Sequence, residues 1–254
     1  MRRWGVIVVG AALLAACMGP PSAVQTAASA AHKAADQFVA LAANSAATGQ
    51  VPRQTDPAAA PLLDAVFNTG ALQGAPAASG DLDAINDWLM SAIRVGQTYV
   101  LAGTGLTDFT NATAQTQVRV GQNLAAFAPE CGRFLDAELA IEGADATAAA
   151  SYVAANPDAA KDATQAAGLD KARAGLAETA QGVITTIAGP GLPNDWREAR
   201  ARALIAFAPH AASFLADAQK QALAAQATQS ATGADDPQLA ALLSQFAAAV
   251  VARA

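Results

Sequence analysis

The sequence has 254 residues, 53% of them hydrophobic but only 5% aromatic and 14% charged, with a formal net charge of −6. That length is ample for one or two hydrophobic cores. An acidic, sparsely charged surface lacks the basic patches that nucleic acid selects for, so the sequence argues against nucleic acid as a partner and against a membrane-binding face built from charge.

The chain opens Met1-Arg2-Arg3-Trp4, followed by an apolar run from Gly5 to Ala16 and then Cys17. A short basic stretch before about a dozen apolar residues has the shape of an export signal and is too short for a good spanning helix. The residues Leu14-Ala15-Ala16-Cys17 resemble the lipobox of bacterial lipoproteins. The resemblance covers the export segment alone, residues 1–16 and the cysteine after them. It implies cleavage before Cys17, diacylglycerol on the Cys17 thiol and a lipid anchor. The alternative is an ordinary cleaved signal that ends nearby, with Cys17 incidental. Met18 stands where an inner-membrane retention signal would carry Asp. By resemblance to the enterobacterial sorting rule, this favours the outer membrane and a periplasm-facing protein over the inner membrane or secretion. Cleavage removes Arg2 and Arg3, leaving 13 basic against 21 acidic residues and a net charge of −8. No long apolar run follows Ala16, and no spanning segment is expected.

Residues 17–24 read as a Gly-Pro-Pro-Ser tether, and residues 25–254 as a single all-α domain. A first helix is expected from Gln25 to Ala46, with Phe38 and Leu41 in its apolar stripe. A loop over Thr48–Pro57 precedes a short helix from Ala58 to Asn68 that buries Leu62, Leu63, Val66 and Phe67. Residues 70–80 form a Gly/Ala/Pro connection. A helix from Asp81 to Leu101 is stopped by Gly103 and Gly105, because glycine accepts the left-handed conformation that closes a helix. Asp108 or Thr110 caps the next helix, which carries Val118, Leu124 and Phe127 and breaks or kinks at Pro129. A third helix runs from Pro129 to Ile141, and the linking segment is interrupted at Asn156-Pro157. The next helix spans Leu169 to Ala188. After the Gly189-Pro190-Gly191 turn, another starts at Asn194 or Asp195 under a capping box formed with Glu198, and breaks at Pro209. It resumes to Gln226, and Asp236-Pro237 opens a final helix. Strand signals are nearly absent.

An internal similarity runs through this pattern. Ala126-Phe127-Ala128-Pro129 with Phe134-Leu135 recurs as Ala206-Phe207-Ala208-Pro209 with Phe214-Leu215. Upstream, Leu82, Ile85, Leu89, Ile93, Gly96 and Val100 map at a constant offset of 87 onto Leu169, Ala172, Leu176, Ala180, Val183 and Ile187. The expected architecture is therefore a helical bundle of two divergent copies of a helix-turn-helix-kink-helix unit, at residues 82–141 and 169–226. Chance likeness between Ala/Leu helices is the alternative.

Motifs for chemistry are scarce. Two histidines, His32 and His210, and one cysteine besides Cys17 give no zinc-type spacing, and no Gly-x-Ser-x-Gly elbow is present. His32 and Asp36, four apart, share a helix face but read best as an exposed pair. Cys131 is open to three readings, a reactive thiol, an intermolecular disulfide or a buried small apolar residue, of which burial is favoured. Glu130 and His210 follow the two prolines, with Arg133 and Ser213 a turn later. If the copies pack about a pseudo-twofold axis, Glu130, Arg133, His210 and Asp217 surround a small-ligand cleft. A solvated first helical turn accounts for the same residues. The sequence points to no catalytic residue, metal site or cofactor. It leaves two functions open: a lipid-anchored, non-catalytic helical protein that binds an envelope partner or organises the envelope, and a small-molecule or metal binder, with or without enzyme activity, with a cleft between the copies.

Overall fold

The computed structural model describes residues 21–46, 50–73, 79–109, 111–159 and 161–252, so the expected export segment, Cys17 and the first part of the expected tether lie outside the described residues. Among the described residues there are nine α-helices and no strand: α1 (Ala23–Ala46), α2 (Ala60–Phe67), α3 (Leu82–Val100), α4 (Ala114–Ala126), α5 (Ala128–Ala155), α6 (Ala163–Ala188), α7 (Asn194–Phe214), α8 (Asp217–Thr232) and α9 (Pro237–Val251). Alanine is the strongest helix former and occurs in every one of them. Side-chain caps fix several starts: Thr113 Oγ1 accepts from the Thr116 amide, Asp162 from Thr164 and Gln165, and Asp236 from Gln238. None of these helices is long and apolar enough to cross a membrane.

Cross-contacts give the helix directions. Ser22 Oγ donates to Asp81 Oδ1 at 2.8 Å, and Arg94 pairs with Asp36, so α1 and α3 run parallel. Phe134 of α5 lies on Gly96 of α3, while Tyr99, further along α3, has its ring 5.6 Å from that of Phe127, just before α5. These two helices are antiparallel. Trp196 Nε1 donates to the Ala128 carbonyl, Arg200 pairs with Asp136, and His210 meets Thr147, so α7 runs parallel to α5 with α6 returning between them. Arg197 binds Asp235 and the Gly189 carbonyl, tying the start of α7 to the end of α6 and the approach to α9. One end of the bundle, here called proximal, gathers the starts of α1, α3, α6 and α8 with the ends of α5, α7 and α9. The distal end holds the connections after α3 and α6, where Gly103, Gly105 and Gly191 have positive φ.

The twelve positions related by the offset of 87 are all buried, six on α3 and six on α6. The two Phe-Ala-Pro segments, however, sit differently. Pro129 opens α5 in its first turn, as its missing amide hydrogen favours, whereas Pro209 lies inside an uninterrupted α7. The break expected at Pro209 instead falls at Leu215-Ala216. An internal proline costs a helix about 3 kcal/mol, and burying each of Phe207 and Phe214 contributes about 1.5–3 kcal/mol, so packing keeps α7 continuous.

Several other expectations are corrected. Ala23 and Val24, assigned to the tether, are already in α1. Helix α4 starts at Ala114 under Thr113 rather than after Asp108, and its Val118 is 64% exposed. Leu62 is only partly buried. Asp195 and Glu198 form no capping box: Pro193 precedes α7, and Glu198 pairs with Arg202. Helix α5 runs fourteen residues beyond Ile141, to Ala155, and stops at Asn156-Pro157.

Close helix approach gives a direct test. A Cβ at Gly96 would lie 2.5 Å from the Phe134 ring, which is itself buried and cannot swing away. Gly96→Ala should therefore destabilise the protein by about 1–3 kcal/mol, read as a fall in Tm of several degrees. Gly182 in α6 has nothing within 4 Å of its Cβ position. Gly182→Ala should raise Tm slightly, by removing a flexible residue from a helix interior.

Candidate functional site

The residues expected to share a cleft divide between the two ends of α5. Glu130 lies in the first turn of α5 and is 1% exposed. Its Oε1 accepts from Arg53 Nε and from the Gln54 amide, both at 3.0 Å. The Arg53 guanidinium stacks 4.9 Å from the centre of the Phe127 ring, and Tyr99 donates its hydroxyl to the Pro52 carbonyl at 2.8 Å. Together they bind residues 52–54 across the junction of α4 and α5. Burial, reinforced by the Glu130 charge, pushes the Tyr99 hydroxyl well above its ordinary range. Arg133 points elsewhere, to Asp64 Oδ1 at 2.6 Å, with its guanidinium over Phe67.

His210 sits far from this group. Its Nδ1 is 2.9 Å from Thr147 Oγ1, and its side chain passes Gly143 at ordinary contact distance. Seventeen residues of helix separate Glu130 from Thr147, about 25 Å at 1.5 Å per residue. Asp217 pairs with Lys220 at 2.7 Å within the first turn of α8, and Ser213 donates to the His210 carbonyl. The cause is the parallel alignment of α5 and α7. It sets Glu130 level with Trp196 and Arg197, and leaves position 210 four turns further along. Glu130, Arg133, His210 and Asp217 are thus not assembled into one cleft. His32 and Asp36 stand 3.8 Å apart and exposed, with Asp36 also bound to Arg94. Cys131 is fully buried, as is Ala211 at the corresponding place in α7. Burial above all, then the neighbouring Glu130 charge, pushes its thiol up to about 12.

The most unusual chemistry lies in the middle of α5, where sequence reasoning did not look. Glu138, Glu142 and Asp145 follow one another at spacings of four and three, which puts them on one helical face with Cys131, Leu135 and Ala149. All three acids are buried, at 0%, 5% and 4% exposure. Thr179 of α6 donates its hydroxyl to Glu142 Oε1 at 2.9 Å. Both oxygens of Glu138, Oε2 of Glu142 and Oδ1 of Asp145 have no hydrogen-bond partner. Among the described residues none of the ion pairs involves these acids, and no group of three His, Cys, Asp or Glu side chains is arranged to hold a metal ion.

An ionised carboxylate stripped of water and left unpaired is expensive, so such a group holds its proton instead. Loss of water raises Glu138 well above the usual carboxylate range, and the Glu142 charge adds to it. Glu142 is raised by burial and by Asp145, against a lowering from the Thr179 hydroxyl. Burial pushes Asp145 up to about 6. The stripe therefore works as a run of proton-holding groups inside an apolar bundle. Its signal was present in the sequence as Glu138-Leu-Ala-Ile-Glu142-Gly-Ala-Asp145. Ending the helix at Ile141 hid it, because the three acids share a face only if the helix continues. The buried Arg197, which joins α6, α7 and the approach to α9, carries no local sequence signal that sets it apart from its neighbours in the first turns of α7.

Compared with protein-family models, curated proteins and solved structures, the chain matches none.

The stripe makes stability depend on pH with a definite sign. In the unfolded chain these acids lose their protons near pH 4, whereas in the folded chain they keep them to higher pH. Between those limits the folded state binds more protons, so stability is highest below about pH 4 to 5 on this account and is lost as pH rises through 6 and beyond. Glu138→Gln keeps a neutral side chain of similar shape. Its Tm should exceed that of the wild type at pH 8, and the gap should close toward pH 4.5. A gap independent of pH in thermal melts would refute the assignment.

Proposed function

We propose that this chain is a lipid-anchored helical protein of the bacterial envelope, held through Cys17 in the outer membrane and facing the periplasm. It works by binding a protein partner or organising the envelope rather than by catalysis. The lipobox-like Leu14-Ala15-Ala16-Cys17 supports the address. One observation carries the non-catalytic role: the polar side chains that sequence offered for a cleft are engaged in holding the fold. Glu130 binds Arg53, Arg133 binds Asp64, and His210 meets Thr147, each a contact between different elements.

Within this reading, α3 to α5 and α6 to α8 are diverged copies of one unit. The shared buried positions on α3 and α6 support it, and the different settings of Pro129 and Pro209 mark how far the copies have parted. A second reading, small-molecule binding, is favoured by Glu138, whose carboxyl is fully buried with neither oxygen partnered. It moves the candidate site from the Glu130 and His210 region to the middle of α5.

The test is expression of the full chain with its own export segment. The wild type should stay with the membrane fraction until detergent is added, whereas Cys17→Ala should appear in the soluble fraction. A wild type that is soluble without detergent would refute the anchor. Native mass spectrometry of the released protein then separates the two roles. An extra mass that leaves on denaturation would favour the ligand binder, and a bare chain that cross-links to a neighbour in intact envelopes would favour the scaffold.

A further inference from the structure

The lipid anchor, if carried by Cys17, enters a bundle whose first residues are fixed in place. Ser22 Oγ donates to Asp81 Oδ1 at 2.8 Å and also accepts from the Gln25 amide at 3.0 Å. Val24 is 8% exposed, and the buried face of α1, including Ala28, Ala31 and Phe38, packs along α2 and α3. The start of α1 is therefore part of the body rather than a continuation of the tether. Only five residue steps separate Cys17 from Ser22. Fully extended, they reach no more than about 18 Å. The body is much longer: α5 has 28 residues, about 42 Å at 1.5 Å per residue.

We infer that the proximal end of the bundle, where α1, α3, α6 and α8 begin, is the surface apposed to the lipid bilayer, and that the distal end stands away from it. This rests on the lipid-anchor reading and adds the orientation of the body. The proximal end carries acids at its helix starts: Asp81 before α3, the cap Asp162 before α6, and Asp217 at the start of α8. These side chains suit helix N-termini, and the lysines at this end, Lys161 and Lys220, are paired with Asp158 and Asp217, which leaves anionic phospholipid little free positive charge to bind. The short tether, not charge attraction, holds this end at the membrane. The connections after α3 and α6, with their left-handed Gly103, Gly105 and Gly191, then form the face that a soluble partner meets first.

The experiment uses the full chain purified from membranes with its lipid and reconstituted into phosphatidylcholine vesicles containing headgroup-nitroxide lipid. A fluorophore is placed at Thr164→Cys, an exposed proximal site, or at Thr107→Cys, an exposed distal one. Cys131 is fully buried and does not compete for the label. Mass spectrometry of the N-terminal peptide comes first. An unmodified Cys17 would overturn the anchor and the orientation together. With Cys17 acylated, the proximal label should be quenched several-fold more than the distal one. Equal quenching, or stronger distal quenching, would overturn the orientation while leaving the anchor standing. Inserting about twenty Gly/Ser residues after Met18 should relax the constraint, because a flexible linker of that length reaches well beyond the native tether. Proximal quenching should then fall several-fold. Unchanged quenching would show that something other than the tether sets the orientation, and would overturn the inference.

Discussion

Where α3 meets α5, one of the two helices contributes no side chain, and the Phe134 ring lies directly on the Gly96 backbone. The opposite approach, from α7, uses the same device. A Cβ at Gly132 would lie 2.7 Å from Arg200 and 2.9 Å from Trp196. In a chain this poor in aromatic residues, large side chains cannot fill wide gaps between helices, so the helices must come close. Closeness at α5 fixes the register of α3 on one side and α7 on the other. Once α7 is parallel to α5, α6 must return between them, and the ends of the remaining helices follow.

The same closeness explains why the carboxyls of α5 are costly. Glu138, Glu142 and Asp145 sit in an interior that offers the threonine hydroxyl of α6 and little else to bind them. A chain selected for stability alone would place leucine or alanine there. The acids weaken the fold as pH rises, and they do so in the helix that touches both of its principal neighbours. Glu130, on the same helix, differs in having an arginine and a backbone amide on Oε1 of its buried carboxylate, although its Oε2 has no hydrogen-bond partner. One helix thus carries both a paired acid and unpaired ones, which separates what holds the bundle together from what strains it.

Much of the helical pattern was legible because periodic apolar positions and backbone punctuation agree. Leu82 to Val100, Leu169 to Ile187 and the Asp236-Pro237 start lie where spacing and capping place them. Gly103, Gly105 and Gly191 take the left-handed conformation that ends a helix cleanly. What was not legible depends on tertiary packing. Pro209 reads locally as a breaker, yet its helix continues because Phe207, Ala211 and Phe214 are buried around it. Val118 keeps helical spacing with its neighbours but faces solvent, since α4 buries only Val120 and Asn123. The site was misread for a related reason. A repeat in sequence suggests which residues correspond, but the directions of the two helices decide which residues meet, and here Glu130 is level with Arg197.

Cys131 has a consequence for how the molecule can be observed. Its thiol is enclosed where α4 passes into α5, beneath the segment that Arg53 and Tyr99 fasten down, and burial keeps it from ionising at ordinary pH. Thiol reagents act on thiolates that solvent can reach. In the folded chain Cys131 is consequently silent to them, and the rate at which this thiol becomes modified measures how often this junction opens. Nature has left a timer in the bundle, one that runs only while the α4–α5 corner is undone.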